Sequence, residues 1–159
     1  MGVAGSGKSV IGAALARALG VDFVEGDDYH SAANVERMFS GIPLTDADRA
    51  SWLSALAKRI RKARKEEKGV VMSCSALKRS YRDTLRAEAG ELQFIYLRGP
   101  RAVIVERIAQ RRGHFMPPAL LDSQFDALQV PSPEEQAWVI DIAQSPDEII
   151  AALLARASA

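Results

Sequence analysis

Gly2-Val3-Ala4-Gly5-Ser6-Gly7-Lys8-Ser9 fills every fixed position of the pattern G-x-x-x-x-G-K-[ST], with only Met1 ahead of it. The pattern constrains the fold because it works at a strand-to-helix turn. Its glycines let successive backbone N–H groups point inward at phosphate, Lys8 can reach β- and γ-phosphates, and Ser9 offers a hydroxyl to Mg²⁺. The helix that opens at Lys8 adds the partial positive charge of its N-terminal end. Residues 9–19 carry Val10, Ala13, Ala14, Leu15 and Ala18 at helical spacing and stop at Gly20, so a flexible Gly/Ser tail is the weaker reading. No strand-forming run precedes the loop. The expectation is that the natural chain begins several residues upstream with an apolar run of about five residues, a usual strand length, and that the sheet without it has an open central slot.

The 159 residues suit one domain with a real core. A formal net charge of +1 supplies no general field for nucleic acid or a membrane surface, so an acidic ligand needs a local site. One cysteine, Cys74, excludes an internal disulfide, and Cys74 with His30 and His114 shows no zinc-ligand spacing. Signal-like and membrane-length apolar segments are absent from the sequence, which leads to the expectation of a cytoplasmic enzyme.

Short apolar runs alternate with helical patterns along the chain. Strands are expected at 21–24, 70–74, 92–97 and 138–142, and helices at 9–19, from Thr45 through the basic run 58–65, at 77–89, from Pro100 through Arg112, after Pro117-Pro118 to Leu128, and from Ser145 onward. Thr45 to Asp48 and Ser145 to Glu148 are capping boxes. This alternation predicts an α/β fold with a parallel sheet flanked by helices. The basic run 58–65 reads as a solvated helix face, since no aromatic residue interrupts it.

Four groups of residues could carry chemistry. Glu25-Gly26-Asp27 follows the second strand at the sheet edge where ligands bind, and a carboxylate there could orient an acceptor hydroxyl, take its proton or hold Mg²⁺ through water; a polar turn is the alternative. His30, Asn34, Asp48 and Arg49 lie between that strand and the long helix, each open to a purely structural role as well. Lys78 and Arg82, one helical turn apart on a shared face of the helix expected at 77–89, form a candidate carboxylate or phosphate clamp, against the alternative of a basic solvent face. Arg107 and Arg111, with Arg112, Gly113 and His114, end a helix before the Pro117-Pro118 break and could close over a nucleotide. Cys74 reads as a small buried strand residue.

Taken in order, these words resemble the gluconokinase family over nearly the whole chain. They are the phosphate loop; Gly26-Asp27 with His30 and Asn34; Met38, Gly41 and Pro43-Leu44; Asp46, Asp48-Arg49 and Trp52-Leu53; Cys74-Ser75-Ala76-Leu77-Lys78 with Tyr81-Arg82-Asp83 and Leu85-Arg86; Gly113-His114-Phe115; and Ser123-Gln124-Phe125 with Leu128. Arg37, Ser51 and Glu25 depart from the family's usual lysine, proline and aspartate. The resemblance implies a P-loop NTPase fold with a nucleoside-monophosphate-kinase-like sheet in one domain, residues 1–159, with an acceptor segment at about 27–52, a lid at about 111–128, and usually a homodimer. It implies ATP-dependent phosphorylation of D-gluconate to 6-phosphogluconate. Gly2, Gly5, Ser6, Gly7, Lys8 and Ser9 would bind ATP, with Arg107, and Ser9 and Asp27 would serve Mg²⁺. Lys8, Asp27 and Arg111 would act in catalysis, and Asp27, His30, Arg49, Lys78 and Arg82 would hold gluconate. The loop 143–145 would border the adenine. A kinase for another small hydroxy acid such as shikimate, and an inactive nucleotide-binding scaffold, are the alternatives.

Overall fold

The computed structural model describes residues 1–110 and 118–158; the side chains at 88, 118 and 119 are outside the description. Among the described residues four short strands form two parallel pairs. β1 (Asp22–Glu25) runs beside β2 (Val70–Ser73), with Asp22 opposite Val70 and Glu25 opposite Ser73. β3 (Ile95–Arg98) runs beside β4 (Trp138–Asp141), with Ile95 opposite Trp138 and Arg98 opposite Asp141.

The first residues of the chain join the two pairs. The Met1 amine donates to the Ile95 carbonyl, and the Leu97 N–H donates to the Met1 carbonyl at 3.0 Å, the alternating pattern of a parallel bridge opposite Tyr96. On the other side the Gly2 N–H donates to the Ser75 carbonyl at 3.2 Å. Beside this junction lies an apolar cavity of about 540 Å³ whose lining includes Val71, Met72, Cys74, Phe94, Ile95 and Leu153. The slot expected from the sequence is therefore present between β2 and β3. Burial lowers the Met1 amine to about 5, with the nearby Lys8 charge acting in the same direction.

Helices cover both faces. α1 (Lys8–Leu19) and α7 (Pro146–Ala157) supply Ile11, Leu15, Ile149 and Leu153 to one core, which continues through Val3, Leu97 and Ile142. α3 (Asp46–Lys65) and α4 (Arg79–Ala89) build the other from Trp52, Leu53, Leu56, Tyr81 and Leu85 against Phe94. Both expected capping boxes form, Thr45 with Asp48 on α3 and Ser145 with Glu148 on α7. α5 (Arg101–Ala109) and α6 (Pro118–Ala127) complete the long helices.

The structure differs from the sequence expectation at several points. α4 begins at Arg79 with Lys78 as an extended N-cap (φ −90°, ψ 148°). β3 begins at Ile95, and Leu92 and Phe94 instead face the cavity and core. The acceptor segment holds a 3₁₀ turn, Gly26–Tyr29, and a helix, α2 (Ala32–Phe39), whose Ser31 cap accepts from the Asn34 N–H. Among the described residues no helix is long and apolar enough to cross a membrane.

Candidate active site

The phosphate loop takes the shape its glycines permit. Gly5 and Gly7 lie at φ 80° and 94°, and a Cβ on Gly5 would come within 2.8 Å of Ile108 Cγ1. Gly7 caps α1 in the left-handed region and gives no side-chain cap, so the first amides of α1 have no side chain in place of an anion. The Ser6 hydroxyl is buried without a hydrogen-bond partner, an orphan donor inside the cradle. Lys8 Nζ donates to the Val3 carbonyl at 3.0 Å, which folds its side chain back along the loop. Ser9 is exposed at the start of α1.

The carboxyl end of β1 turns sharply into the 3₁₀ turn bearing Asp27. Gly26 is required there because a Cβ would collide with the Ser73 carbonyl of the neighbouring strand. Trp52 of α3 fixes this turn from below: its indole N–H donates to the Gly26 carbonyl at 2.7 Å, and its face stacks on His30. Asp27 remains exposed at the sheet edge. His30 Nδ1 is buried without a partner, and burial holds the imidazole below its ordinary value despite the nearby Asp27 charge; Arg49 lowers it further. The ring is therefore neutral at neutral pH, able to donate or accept toward a hydroxyl. Asn34 is structural, with its amide donating to the Asp48 carbonyl at 2.7 Å.

Arg49 is half-buried and its charge is felt at His30, Asp46, Asp48 and Tyr81. Lys78 meets the same group from the other side, with Nζ 2.7 and 2.9 Å from the two Asp46 carboxylate oxygens and 5.6 Å from the Tyr81 ring centroid. Tyr81 also donates its hydroxyl to Asp46. Lys78 and Tyr81 together hold the Asp46 carboxyl below the usual range. The structure thus brings Asp27, His30, Arg49 and Lys78 to one side of the sheet edge.

Arg82 does not join them. It is fully buried and directed at Glu135, which corrects the expectation that it joins Lys78 in a carboxylate or phosphate clamp and holds gluconate. That expectation required both residues to be helical, but Lys78 is the extended cap, so the two do not share a helix face. Glu25 is occupied as well, accepting from the Ser73 hydroxyl across the strand pair. Arg107 Nη2 donates to the Ile142 carbonyl at 2.8 Å, beside the loop 143–145. Arg111 and the first part of the expected lid lie outside the described residues. Cys74 is buried, and burial pushes its thiol up to about 11, so it stays protonated and unreactive. Gln124 was not anticipated as a site residue; from α6 its side-chain oxygen accepts the Ala4 N–H of the phosphate loop at 2.7 Å. No local pattern marks a glutamine for a partner 120 residues away.

A phosphate cradle at the end of a parallel α/β sheet, opening beside a cationic pocket, defines a P-loop kinase. A model of the AAA domain family matches residues 1–131. A gluconokinase from Gluconobacter oxydans is 42% identical over 154 residues, which cover 97% of this chain and 86% of that protein. The solved structure of a gluconokinase from Sinorhizobium meliloti is 48% identical with a TM-score of 0.86, covering 95% of this chain and 85% of that one. An unliganded sugar kinase from Janibacter reaches a TM-score of 0.93 at 42% identity, over 98% of this chain and 90% of that one. The chain belongs to the gluconokinase family.

Proposed function

We infer that this chain phosphorylates D-gluconate with ATP, giving 6-phosphogluconate and ADP. The observation that carries the reading is the convergence of Asp27, His30, Arg49 and Lys78 on a chain whose relatives at this identity are gluconokinases. The phosphate-loop amides and Lys8 hold the β- and γ-phosphates, and Arg107 borders the nucleotide beside the loop 143–145. Arg49 and Lys78 take the acceptor's carboxylate and hydroxyls, Lys78 exchanging Asp46 for the substrate, and neutral His30 bonds a hydroxyl. Asp27 orients the 6-hydroxyl. As the bond from the γ-phosphorus to the β,γ-bridging oxygen breaks and the new bond to the 6-oxygen forms, the hydroxyl proton passes to Asp27 and the electron pair leaves with ADP. Most of the rate comes from positioning and charge neutralisation, because phosphoryl transfer through a loose transition state needs little push from a base. Arg111 is proposed to reach the transferring group from the lid.

Mg²⁺ fits the oxygens present. Among the described residues there is no cluster of three His, Cys, Asp or Glu side chains that could cage a metal, and Mg²⁺ at a nucleotide site is held by one or two protein oxygens with phosphates and water. Ser9, and Asp27 through water, are the residues proposed to hold it. Bound there, it would neutralise charge on the phosphates. A homodimer is proposed on the family resemblance, and light scattering at a monomer mass would count against it.

Asp27→Asn tests the reading of the acceptor side. Turnover should fall about 10²-fold while ATP affinity holds within about twofold, because the carboxylate faces the acceptor. Unchanged turnover removes Asp27 from the chemistry.

A further inference from the structure

Arg82 contributes four hydrogen bonds from a position with 0% exposure. Nε and Nη2 donate to the two oxygens of Glu135 at 2.5 and 2.7 Å, and Nη1 donates to the carbonyls of Ala76 and Leu77 at 3.1 Å each. Glu135 is fixed in turn: its carboxylate accepts from Arg86 at 3.3 Å and from the Ser132 N–H at 3.1 Å, and its carbonyl accepts from Arg86 at 3.0 Å. The two carbonyls that Arg82 holds belong to the turn 74–78 between β2 and α4. Ala76 sits there at φ 41°, a left-handed conformation that a non-glycine residue keeps only when its surroundings impose it. The two sides of this turn face the two halves of the site. Ser75 accepts the Gly2 N–H of the phosphate loop at 3.2 Å, and Lys78 reaches Asp46 among the acceptor residues.

We propose that the Arg82–Glu135 pair is a positioning device: it clamps the turn 74–78 so that Lys78 is presented to the acceptor while Ser75 stays seated against the phosphate loop, without touching either substrate. This rests on the reading of Lys78 as an acceptor cation. Only a planar fork can meet both carboxylate oxygens and two backbone carbonyls at once; a lysine ammonium could neutralise Glu135 but not span all four. Stability alone does not require the charges, since well-packed apolar residues commonly replace a buried ion pair without loss. What the pair adds is direction imposed on the carbonyls of Ala76 and Leu77. Because the turn holding Glu135 leads into β4, the clamp also ties the β2–α4 connection to the far strand pair.

The test replaces the pair by apolar residues, Arg82→Met with Glu135→Leu, and reads the turn and the kinetics together. Amide hydrogen exchange at residues 75–79 should accelerate about tenfold or more, and the KM for gluconate should rise about tenfold, with a smaller rise in the KM for ATP because Ser75 also seats the phosphate loop. A folded double variant with native exchange at 75–79, or with native gluconate saturation, overturns the proposal. If the double variant does not fold, Arg82→Lys keeps the charge and loses the fork; it should show the same two changes, and full recovery of native exchange and KM by lysine overturns it equally. Failure of the functional reading would appear separately, as absence of gluconate turnover in the parent enzyme, and the exchange measurement would still decide whether the clamp holds the turn.

Discussion

The imidazole of His30 lies flat on the indole of Trp52, with ring centroids 4.5 Å apart and planes 8° from parallel. The same indole donates its N–H to the Gly26 carbonyl, so one buried side chain sets both His30 and the turn carrying Asp27. Trp52→Phe keeps an aromatic surface but leaves that carbonyl unsatisfied, at a cost of ~1–3 kcal/mol. The expected result is a lower melting temperature and a gluconate KM raised severalfold, with the KM for ATP nearly unchanged. Thermal melts and steady-state kinetics check both; equal loss of ATP and gluconate saturation would argue against an acceptor-side role.

Lys8→Ala should reduce turnover about 10²-fold or more, the scale of loss seen when one preorganised transition-state donor is removed. Its side chain lies along the loop, so the melting temperature should change little. Single-turnover kinetics with a melting curve separate the two effects.

Acid should weaken the fold through Glu135. Arg82, foremost among its partners, holds the Glu135 carboxyl down at about 2, against 4.5 ordinarily. A folded-state value below the unfolded one means that the stabilisation is complete above about pH 4.5 and is lost as the pH falls toward 2. Glu135→Gln should therefore melt lower than the parent at pH 7, and the gap should close across that acid window. A gap that stays constant down to pH 2.5 would contradict the ion-pair account.

Filling the cavity between β2 and β3 should stabilise the molecule. An engineered extension of about five apolar, β-branched residues joined to Met1 should pair with both strand edges and raise the melting temperature, whereas a Gly/Ser extension of equal length should not. ATP affinity should rise with the first and not the second, since the phosphate loop begins at that junction. Identical melting curves for the two extensions would sink this prediction.

The phosphate loop was legible because its chemistry resides in backbone conformation, which Gly5, Gly7 and the helix start at Lys8 dictate locally. Trp52, Leu56 and Ile60 announced the buried face of α3 in the same local way. Helix α2 was not anticipated, although Ser31 as its cap and Val35, Met38 and Phe39 at helical spacing were available signals; it spans only eight residues, and with Phe39 83% exposed its apolar side does not all belong to a core. Arg82 was misjudged for a different reason. Its partner Glu135 lies 53 residues away and meets it only after the strands are ordered, and no spacing rule distinguishes a buried guanidinium from an exposed one. Gln124 on the Ala4 amide belongs to the same long-range class.

The most direct test of the central claim is ADP release from ATP and Mg²⁺ in parallel reactions with D-gluconate and with shikimate, with the product's phosphate position read by NMR. The account predicts acceptor-dependent turnover with gluconate, little with shikimate, and phosphate on the 6-oxygen. A folded, ATP-binding preparation that turns over shikimate faster, or that releases no ADP in response to gluconate, would contradict it.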